Sequence, residues 1–373
     1  MEPGKISCNQ LFYIIINIIS ATAIIFLPGI IAAEAGRDAW LAPLLSTVPG
    51  ICLVLIIAAL GERFPGQTLM QYLQTILGAW PGKMAGLLYV FFFLHTNSVI
   101  IREFGELMVG IVMPRTPLIV FHGIMIFLCA WAIRGGLEVP ARIIELTVPP
   151  TIIVFIVMIL LTAQEMDLNN LLPVLENGLK PVIRSSLDPI AWRGEIIILA
   201  MLLPFLEKPG EGRRCTNWAV IVIGIILAID AMINTAVLGT AVAHLTFPTF
   251  SLVRDVSVGD FLERIESVLV AVWVIGMFGK ITLFYYVAVL GSAQLFNLSD
   301  YRPVVLPIGI ILAALSIYAV SSLSEISGYI VVGFPPFAYI FEYIIPAALL
   351  ALAWAMGLRS REGEEAAGGG KAP

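Results

Sequence analysis

The chain has 373 residues, of which 59% are hydrophobic and only 13% are charged, and its mean hydropathy is +0.97. A soluble domain carries roughly 25% charged residues, and single water-soluble cores stop growing at about 250–300 residues. The excess apolar surface must therefore face lipid, which predicts an all-α integral membrane protein. The net charge of −5 is thinly spread, so the basic patch of a nucleic-acid-binding protein is absent and no nucleic-acid partner is expected.

A membrane-spanning helix needs about 20 mostly apolar residues, and this rule predicts about ten such helices. Predicted helices 1 to 10 cover residues 9–32, 39–61, 84–110, 116–133, 142–163, 187–206, 216–241, 263–293, 303–321 and 335–357. Glycine, proline and charged residues mark the connections, and the longest connection, 164–186, is expected on the surface. Residues 1–358 are predicted to form one transmembrane domain, followed by a disordered cytoplasmic tail at 359–373.

The N-terminus and the loop charges predict the orientation. The apolar stretch from Leu11 is long and lacks a cleavage site of the A-x-A type, so it is not a cleaved signal peptide. With the N-terminus inside, more Lys and Arg fall in inner than in outer connections, which predicts that both termini are cytoplasmic. The basic residues assigned to the outer side are Arg37, Arg115, Lys180, Arg184, Arg193, Arg254 and Arg264.

Cysteine and histidine give no sign of a metal site. Cys8, Cys52, Cys129 and Cys215 show neither a CxxC motif nor a paired spacing, so they are predicted to be small hydrophobic residues without a disulfide. The three histidines are scattered and form no zinc motif. No metal and no cofactor are expected.

Two predicted helices contain residues that interrupt a helix. In helix 1 the segment ATAIIFLPG at 21–29 places small residues and then Pro28 inside one span, and in helix 6 LAMLLP at 199–204 repeats this pattern. Proline removes a backbone donor, and a break within lipid is tolerated only where the freed groups face protein or a cavity. Since helices 1 and 6 begin two five-helix halves, the pattern predicts an inverted repeat over about 9–163 and 187–357, with a ligand site between the breaks. A simple proline kink with nothing bound is the alternative.

Ionisable residues at bilayer depth are costly, so each is a functional candidate. The candidates are His95, Glu103, Glu195, Asp230 and Lys280. Lys280, near the middle of helix 8, is expected either to replace a bound cation or to pair with Glu195 or Glu103. His95 is either a satisfied core histidine or a proton carrier. Arg102 and Glu106 are expected to pair on one face of helix 3.

Several strings resemble the spore germination permeases in order along the chain. They are KIS at 5–7, QLF at 10–12, GRDAWL at 36–41, FPGQTL at 64–69, REFGE at 102–106, MPRTP at 113–117, NNLLPVL at 169–175 and FLERIES at 261–267. The resemblance extends from helix 1 through helix 8, and helices 9 and 10 match mainly in hydropathy. These permeases are the B subunits of nutrient germinant receptors in endospore-forming bacteria. They resemble the amino acid/polyamine/organocation (APC) superfamily, whose LeuT-like fold is the five-plus-five repeat.

The resemblance implies a receptor subunit in the inner membrane of the cell or spore. It would bind a small nutrient, such as an amino acid, between broken helices 1 and 6 and trigger germination together with A and C subunits. Carried over by position, the ligand-binding residues are Ala21, Thr22, Ala23, Thr96, Leu199, Ala200, Met201, Gly279 and Lys280. The superfamily often has glycine where this chain has Ala21 and Ala23, which narrows the space there. Related transporters hold a sodium ion between helices 1 and 8, and the Lys280 ammonium would take its place.

Two function classes stay open. Free N–H groups at a half-helix N-terminus attract a carboxylate and free carbonyls attract an ammonium, so a small apolar amino acid suits the predicted pocket. The alternative to a receptor is an active proton-coupled amino-acid permease in which Glu103 or Glu195 carries the proton, and the fold does not separate the two. An enzyme is not expected, since the sequence has no metal cluster, no nucleophile with a base at workable spacing and no phosphate loop.

Overall fold

A computed structural model describes residues 2–255, 265–318 and 322–359, with only the backbone of residues 255, 265, 266, 323 and 324. Most of these residues are helical. Residues 360–373 of the expected tail lie outside the described residues, as do the predicted start of helix 8, the predicted end of helix 9 and most of the string at 261–267.

The long helices follow one another in the predicted order. Helix 1 is Cys8–Ala35, helix 2 comprises Leu41–Leu45 and Thr47–Arg63, helix 3 is Ala79–Leu107, helix 4 Leu118–Arg134, helix 5 Glu138–Thr162, helix 7 Gly212–Leu238, helix 8 Ile265–Leu295 and helix 9 Arg302–Tyr318. Seven described helices, including a long helix 10, are long and apolar enough to cross a membrane, and helices 4 and 9 are shorter apolar helices. Short unpredicted helices, Leu69–Leu77, Leu179–Ser185 and Pro248–Asp255, lie in the connections. The connection 164–186 is largely exposed, as predicted.

Helix 1 is one continuous α-helix, so the predicted break within 21–29 is wrong. Pro28 lies inside it and offers no N–H to the carbonyl of Ile24 one turn earlier. That carbonyl accepts a hydrogen bond from the Thr249 hydroxyl at 2.7 Å. The Trp273 indole also donates to the Ala21 carbonyl, at 2.8 Å. Because neighbouring side chains supply donors, the helix tolerates its proline without unwinding.

Helix 6 is interrupted, as predicted, but the interruption begins earlier than 199–204. An α-helical part, Leu187–Gly194, is followed by a 3₁₀ turn at Glu195–Ile198, a short α turn at Leu199–Leu202 and a second 3₁₀ turn at Leu203–Phe205. A 3₁₀ stretch inside a helix often marks a functional hinge. Glu195 therefore stands at the point where the winding of helix 6 first changes.

Helix 10 begins at Leu323, so its predicted start at 335 is wrong. It consists of Leu323–Gly328, a π turn at Tyr329–Gly333, Phe334–Tyr339, a second π turn at Ile340–Ile344, and Ile345–Ala355. A proline stands at the start of the α segment after each π turn. A proline at such a restart has no N–H, so one carbonyl of the π turn is left without a helical donor. Prolines that predict a helix start therefore lie within a longer helix.

Helix 1 lies at the centre of the bundle, packed against helices 5, 7 and 8, and helix 8 packs against helix 3. The first part of helix 6 contacts helices 1, 2 and 10. This arrangement surrounds the middle of helix 1 with side chains from helices 3, 6 and 8.

Cys8 and Cys215 form a disulfide, so the prediction that no cysteine is bonded is wrong. The two residues lie at the N-terminal ends of helices 1 and 7 with a Cα separation of 5.9 Å, within the range that a disulfide spans. Their sequence separation is 207 residues, so only the packing of helix 1 on helix 7 reveals the pairing. Cys52 and Cys129 are free.

Candidate functional site

The Lys280 side chain joins three helices in the interior of the protein. Its Nζ lies 2.8 Å from Glu195 Oε1 of helix 6 and donates a hydrogen bond to Thr22 Oγ1 of helix 1 at 2.7 Å. The Trp192 indole donates to the same hydroxyl at 2.9 Å. The side chains of Lys280 and Glu195 are 0% and 2% exposed, and buried charges at this depth require a partner. The pairing of Lys280 with Glu195, one of the predicted alternatives, is present.

A small cavity lies beside this ion pair and has a volume of about 20 Å³. Its lining residues come from helices 1, 3, 6, 8 and 10: Thr22, Thr96, Val99, Ile100, Glu103, Trp192, Glu195, Lys280, Ile330 and Phe334. A site needs roughly 10–15 Å³ to hold one water molecule. An amino acid can therefore enter only if the lining side chains and helices move apart.

Three polar atoms of the lining residues have no hydrogen-bond partner within the described part of the chain. They are Thr96 Oγ1, Glu103 Oε2 and Glu195 Oε2, and all three residues are buried. A buried polar atom without a partner costs about 1–3 kcal/mol. Two of these atoms belong to carboxyl groups, so the cavity is suited to a group rich in hydrogen-bond donors, such as an ammonium.

The cavity brings together five of the predicted site residues and leaves the others apart. Thr22, Thr96, Glu103, Glu195 and Lys280 all line it. The other predicted ligand-binding residues on helices 1, 6 and 8 are buried or packed elsewhere, and none of them lines it: Ala21, Ala23, Leu199, Ala200, Met201 and Gly279.

Two of those residues, Ala21 and Gly279, contact other parts of the protein. Ala21 lines a mainly apolar cavity of about 70 Å³ on another side of helix 1, among helices 1, 5 and 8. A Cβ added at Gly279 would lie 2.6 Å from the Asn17 side-chain nitrogen. Gly279 thus lets helix 8 pack closely on helix 1.

The remaining predicted charges have partners of their own. His95 Nε2 lies 2.6 Å from the Tyr329 hydroxyl of helix 10. Asp230 Oδ1 accepts a hydrogen bond from the Asn234 amide at 3.2 Å. Neither residue lines the cavity at Lys280. The expected ion pair between Arg102 and Glu106 is present at 2.6 Å.

Arg193 and Glu342 are among the buried ionisable residues that were not predicted. Arg193, assigned to an outer connection from sequence, is fully buried in helix 6. Its guanidinium donates to Ser46 Oγ at 2.7 Å and to the Pro43 carbonyl at 2.6 Å. Glu342 is also fully buried, in the second π turn of helix 10. Its position inside the apolar run IFEYI at 340–344 is the signal that could have identified it.

A family model described as "Spore germination protein" matches residues 5–323. The chain belongs to the spore germination protein family. The spore germination protein KB of Bacillus subtilis (strain 168) is 28% identical to it over 330 residues, which are 87% of this chain and 88% of that protein. The resemblance inferred from the sequence strings is therefore confirmed.

Solved structures similar to this spore germination protein have the LeuT fold. MhsT in complex with L-phenylalanine matches with a TM-score of 0.69 and 15% identity, covering 95% of this chain and 90% of MhsT. Mhp1, a nucleobase-cation-symport-1 family transporter in a closed conformation with bromovinylhydantoin bound, matches with a TM-score of 0.65 and 10% identity, covering 93% and 78%. At such identities the likeness shows the fold alone. The predicted LeuT-like fold is confirmed, and with it a multi-pass membrane protein.

Proposed function

We propose that this protein is the membrane subunit of a spore nutrient germinant receptor that binds a small nutrient, such as an amino acid, at the Lys280 cavity. The observation that carries the proposal is the set of unpartnered oxygens on Thr96, Glu103 and Glu195 beside a fixed ammonium. Membership of the spore germination family supports the germination role. MhsT was solved with L-phenylalanine, so the same fold can hold an amino acid.

The proposed binding step uses both charges of an amino acid. Its ammonium would donate hydrogen bonds to Glu103 and Thr96, whose oxygens are free to accept. Its carboxylate would compete with Glu195 for the Lys280 ammonium, which lies 2.8 Å from Glu195 in this structure. A ligand shifts a conformational equilibrium only through different contacts with the two states. Exchange of the Lys280 partner provides such a difference at the point where helices 1, 6 and 8 meet.

The partners and the location belong to the same proposal. The receptor subunit would lie in the inner membrane of the cell or spore with both termini in the cytoplasm, surrounded by lipid, and would act with A and C subunits. The distribution of Lys and Arg supports this orientation. Arg193 is buried and therefore does not count as a residue of an outer loop. Without it, the excess of Lys and Arg in the inner connections is larger.

Thermal unfolding of the purified protein in detergent tests the site. A ligand that binds only the folded state at a hundred times its Kd adds about 2.7 kcal/mol to the free energy of unfolding. We expect one class among a panel of amino acids, sugars and nucleosides to raise the Tm of the wild type, and the responding class to be amino acids. Glu103→Gln should abolish this increase, because the amide no longer offers two acceptor oxygens to an ammonium.

Glu106→Gln is the matched control. Glu106 lies on the same helix and pairs with Arg102, but it does not line the cavity. This variant should respond to the amino acid as the wild type does. Equal stabilisation of Glu103→Gln, or a response to sugars or nucleosides alone, would rule out amino-acid binding at this cavity.

A second candidate function is an active proton-coupled amino-acid permease. It is favoured by Glu103, a buried carboxyl group in the cavity that has no basic partner within 4.0 Å among the described residues. Uptake of a radiolabelled amino acid into sealed vesicles, driven by an imposed proton gradient, would support the permease. Saturable binding without uptake would support the receptor.

A further inference from the structure

Glu342 is a buried carboxyl group that takes no part in the proposed ligand-binding step. It is 0% exposed, and neither of its carboxyl oxygens has a hydrogen-bond partner among the described residues. It does not line the Lys280 cavity. The carboxyl group packs directly on Gly194 of helix 6, where an added Cβ would overlap it. Glycine at 194 therefore makes the space that the carboxyl group fills.

The backbone around Glu342 is held in place by a tyrosine of helix 3. In the second π turn the Ile345 N–H bonds to the Ile340 carbonyl, and the next residue is Pro346, which has no N–H. The Phe341 carbonyl is thus left without a helical donor, and the Tyr89 hydroxyl donates to it at 2.8 Å. A π turn inside a helix is frequent at functional sites.

Two tyrosines also tie this turn to helix 6. The Tyr343 hydroxyl donates to the Ile190 carbonyl at 2.9 Å, and the Tyr339 hydroxyl donates to the Leu187 carbonyl. Glu342 is therefore held between helices 3 and 6 with its backbone fixed on both sides. The carboxyl group is fully buried in this arrangement.

The charges around Glu342 leave it without a counterion. The ionisable groups that interact electrostatically with Glu342 come from four helices. They are Glu195 of helix 6, Lys280 of helix 8, Tyr89 of helix 3, and Tyr339 and Tyr343 of helix 10. Lys280 is the cation of this set, and its ammonium is already 2.8 Å from Glu195. Arg193, the residue before Gly194, directs its guanidinium to Ser46 and Pro43.

The donor set around Glu342 does not suit a metal ion. Oxygen-liganded cations such as calcium need roughly six to eight ligands, and the described residues contain no group of three or more His, Cys, Asp or Glu side chains that could hold a metal. A proton, in contrast, needs a single carboxyl oxygen. The carboxyl group is thus suited to bind a proton.

We propose that Glu342 is a proton-binding site inside the membrane, separate from the ligand cavity, and that its proton controls the Gly194–Glu195 segment of helix 6. With the proton bound, the carboxyl group is neutral and fits against Gly194. When the proton leaves to water, a second negative charge stands near Glu195 and competes for the same ammonium. Helix 6 then shifts at the 3₁₀ turn that begins with Glu195. Glu195 itself lines the ligand cavity. Only this last step, the coupling to ligand, rests on the proposed function.

Infrared difference spectroscopy tests the site directly, with the proton as probe. Spectra of the full-length protein in detergent are compared between mildly acidic and mildly alkaline buffer. We expect a carboxyl C=O stretching band in the wild type that is absent in Glu342→Gln and shifted, but retained, in Glu342→Asp. Glu103→Gln is the matched control and should keep this band. A band that is the same in wild type, Glu342→Gln and Glu342→Asp would overturn the proposal. If Glu342→Gln does not fold, the shift in Glu342→Asp decides.

The coupling is tested separately from ligand binding. Thermal stabilisation by the responding amino acid is measured at both pH values. Glu342→Gln, which mimics the protonated form, should bind with an affinity that no longer changes with pH, whereas Glu103→Gln should lose binding and keep the infrared band. A Glu342-dependent band without any amino-acid binding would reject the proposed function but leave the proton site standing. Unchanged pH dependence in Glu342→Gln would reject the coupling.

Discussion

At Lys280 a single ammonium group is shared by a carboxylate from helix 6 and a hydroxyl from helix 1. The distances, 2.8 Å to Glu195 and 2.7 Å to Thr22, are those of charge-assisted hydrogen bonds. Both charged side chains are almost completely buried. A buried pair adds little net stability by itself, but removal of one partner leaves an uncompensated charge. A substitution of one partner should therefore lower the free energy of unfolding more than a substitution of both partners.

Lys280→Met should lower the free energy of unfolding by about 3–5 kcal/mol, because Glu195 is left buried without its counterion. The combination of Lys280→Met with Glu195→Gln should recover most of this loss. Unfolding in detergent, followed by circular dichroism, gives both values.

Lys208→Met is the matched control for this substitution. Lys208 pairs with Glu211 at 3.2 Å, but its side chain is 73% exposed, and exposed ion pairs contribute about 0–1 kcal/mol. A loss in Lys280→Met no larger than in Lys208→Met would mean that the buried pair is not formed in the protein.

Sequence reasoning at the residue scale identified Lys280, Glu103 and Glu195, because a charge in an apolar run is visible locally. It did not assign Arg193, because a basic residue near a helix end is assigned to a loop by default. Its burial depends on acceptors from helix 2, Ser46 and Pro43. The pairing of charges from different helices depends on how the helices pack, and the spacing of residues along one helix does not reveal it.

At the scale of single helices, prolines mark places where neighbouring helices supply the missing hydrogen bonds. In helix 1 the carbonyl freed by Pro28 is satisfied by Thr249 from the short helix Pro248–Asp255. The same role belongs to Tyr89 at Pro346 of helix 10. A proline in the sequence therefore predicts an unpaired carbonyl, whereas the presence of an external donor decides whether the helix breaks.

Thr249→Val should destabilise the protein by about 1–3 kcal/mol, since it leaves the Ile24 carbonyl without a donor in the interior. Pro28→Ala should rescue this variant, because alanine at 28 restores the helical N–H to that carbonyl. Tm values of the two single variants and the double variant give the coupling.

The rescue separates this carbonyl from the other contacts of Thr249, which also accepts a hydrogen bond from Asn234 at 3.2 Å. Thr235→Val is the control: its hydroxyl donates to the Ala231 carbonyl of its own helix, and it should change the Tm little. If Pro28→Ala fails to rescue Thr249→Val, the bond to Ile24 is not what the threonine contributes.

The fold class was predictable because hydropathy alone determines how many spans the chain can make. The interruption of helix 6 was also visible, since Pro204 follows small and apolar residues in one span. The continuity of helix 1 was not, because it depends on the Thr249 hydroxyl, which comes from another helix. The early start of helix 10 was not visible either, because Pro335 follows a π turn inside the helix. In the candidate site, the polar residues Thr22, Thr96, Glu103, Glu195 and Lys280 were identified, whereas Trp192 of helix 6 and the helix 10 residues Ile330 and Phe334 were not.

At the scale of the whole molecule, helix 6 contributes to two buried polar centres. Glu195 and Lys280 line the proposed ligand cavity, and Glu342 packs against the neighbouring Gly194. Adjacent residues of one segment thus face a site proposed for a nutrient and a site proposed for a proton. A movement of that segment would affect both.

The disulfide between Cys8 and Cys215 closes the chain from helix 1 to helix 7, and so joins the two predicted five-helix repeats. A cross-link of this kind typically stabilises a protein by about 2–4 kcal/mol.

The double variant Cys8→Ser/Cys215→Ser should therefore unfold at a lower temperature than the wild type in oxidising buffer. In reducing buffer the wild type should fall to the level of the variant. Cys52→Ser, which removes an exposed free thiol, should behave as the wild type does in both buffers. If the reductant leaves the Tm of the wild type unchanged, packing between helices 1 and 7 holds the two repeats together without help from the bond.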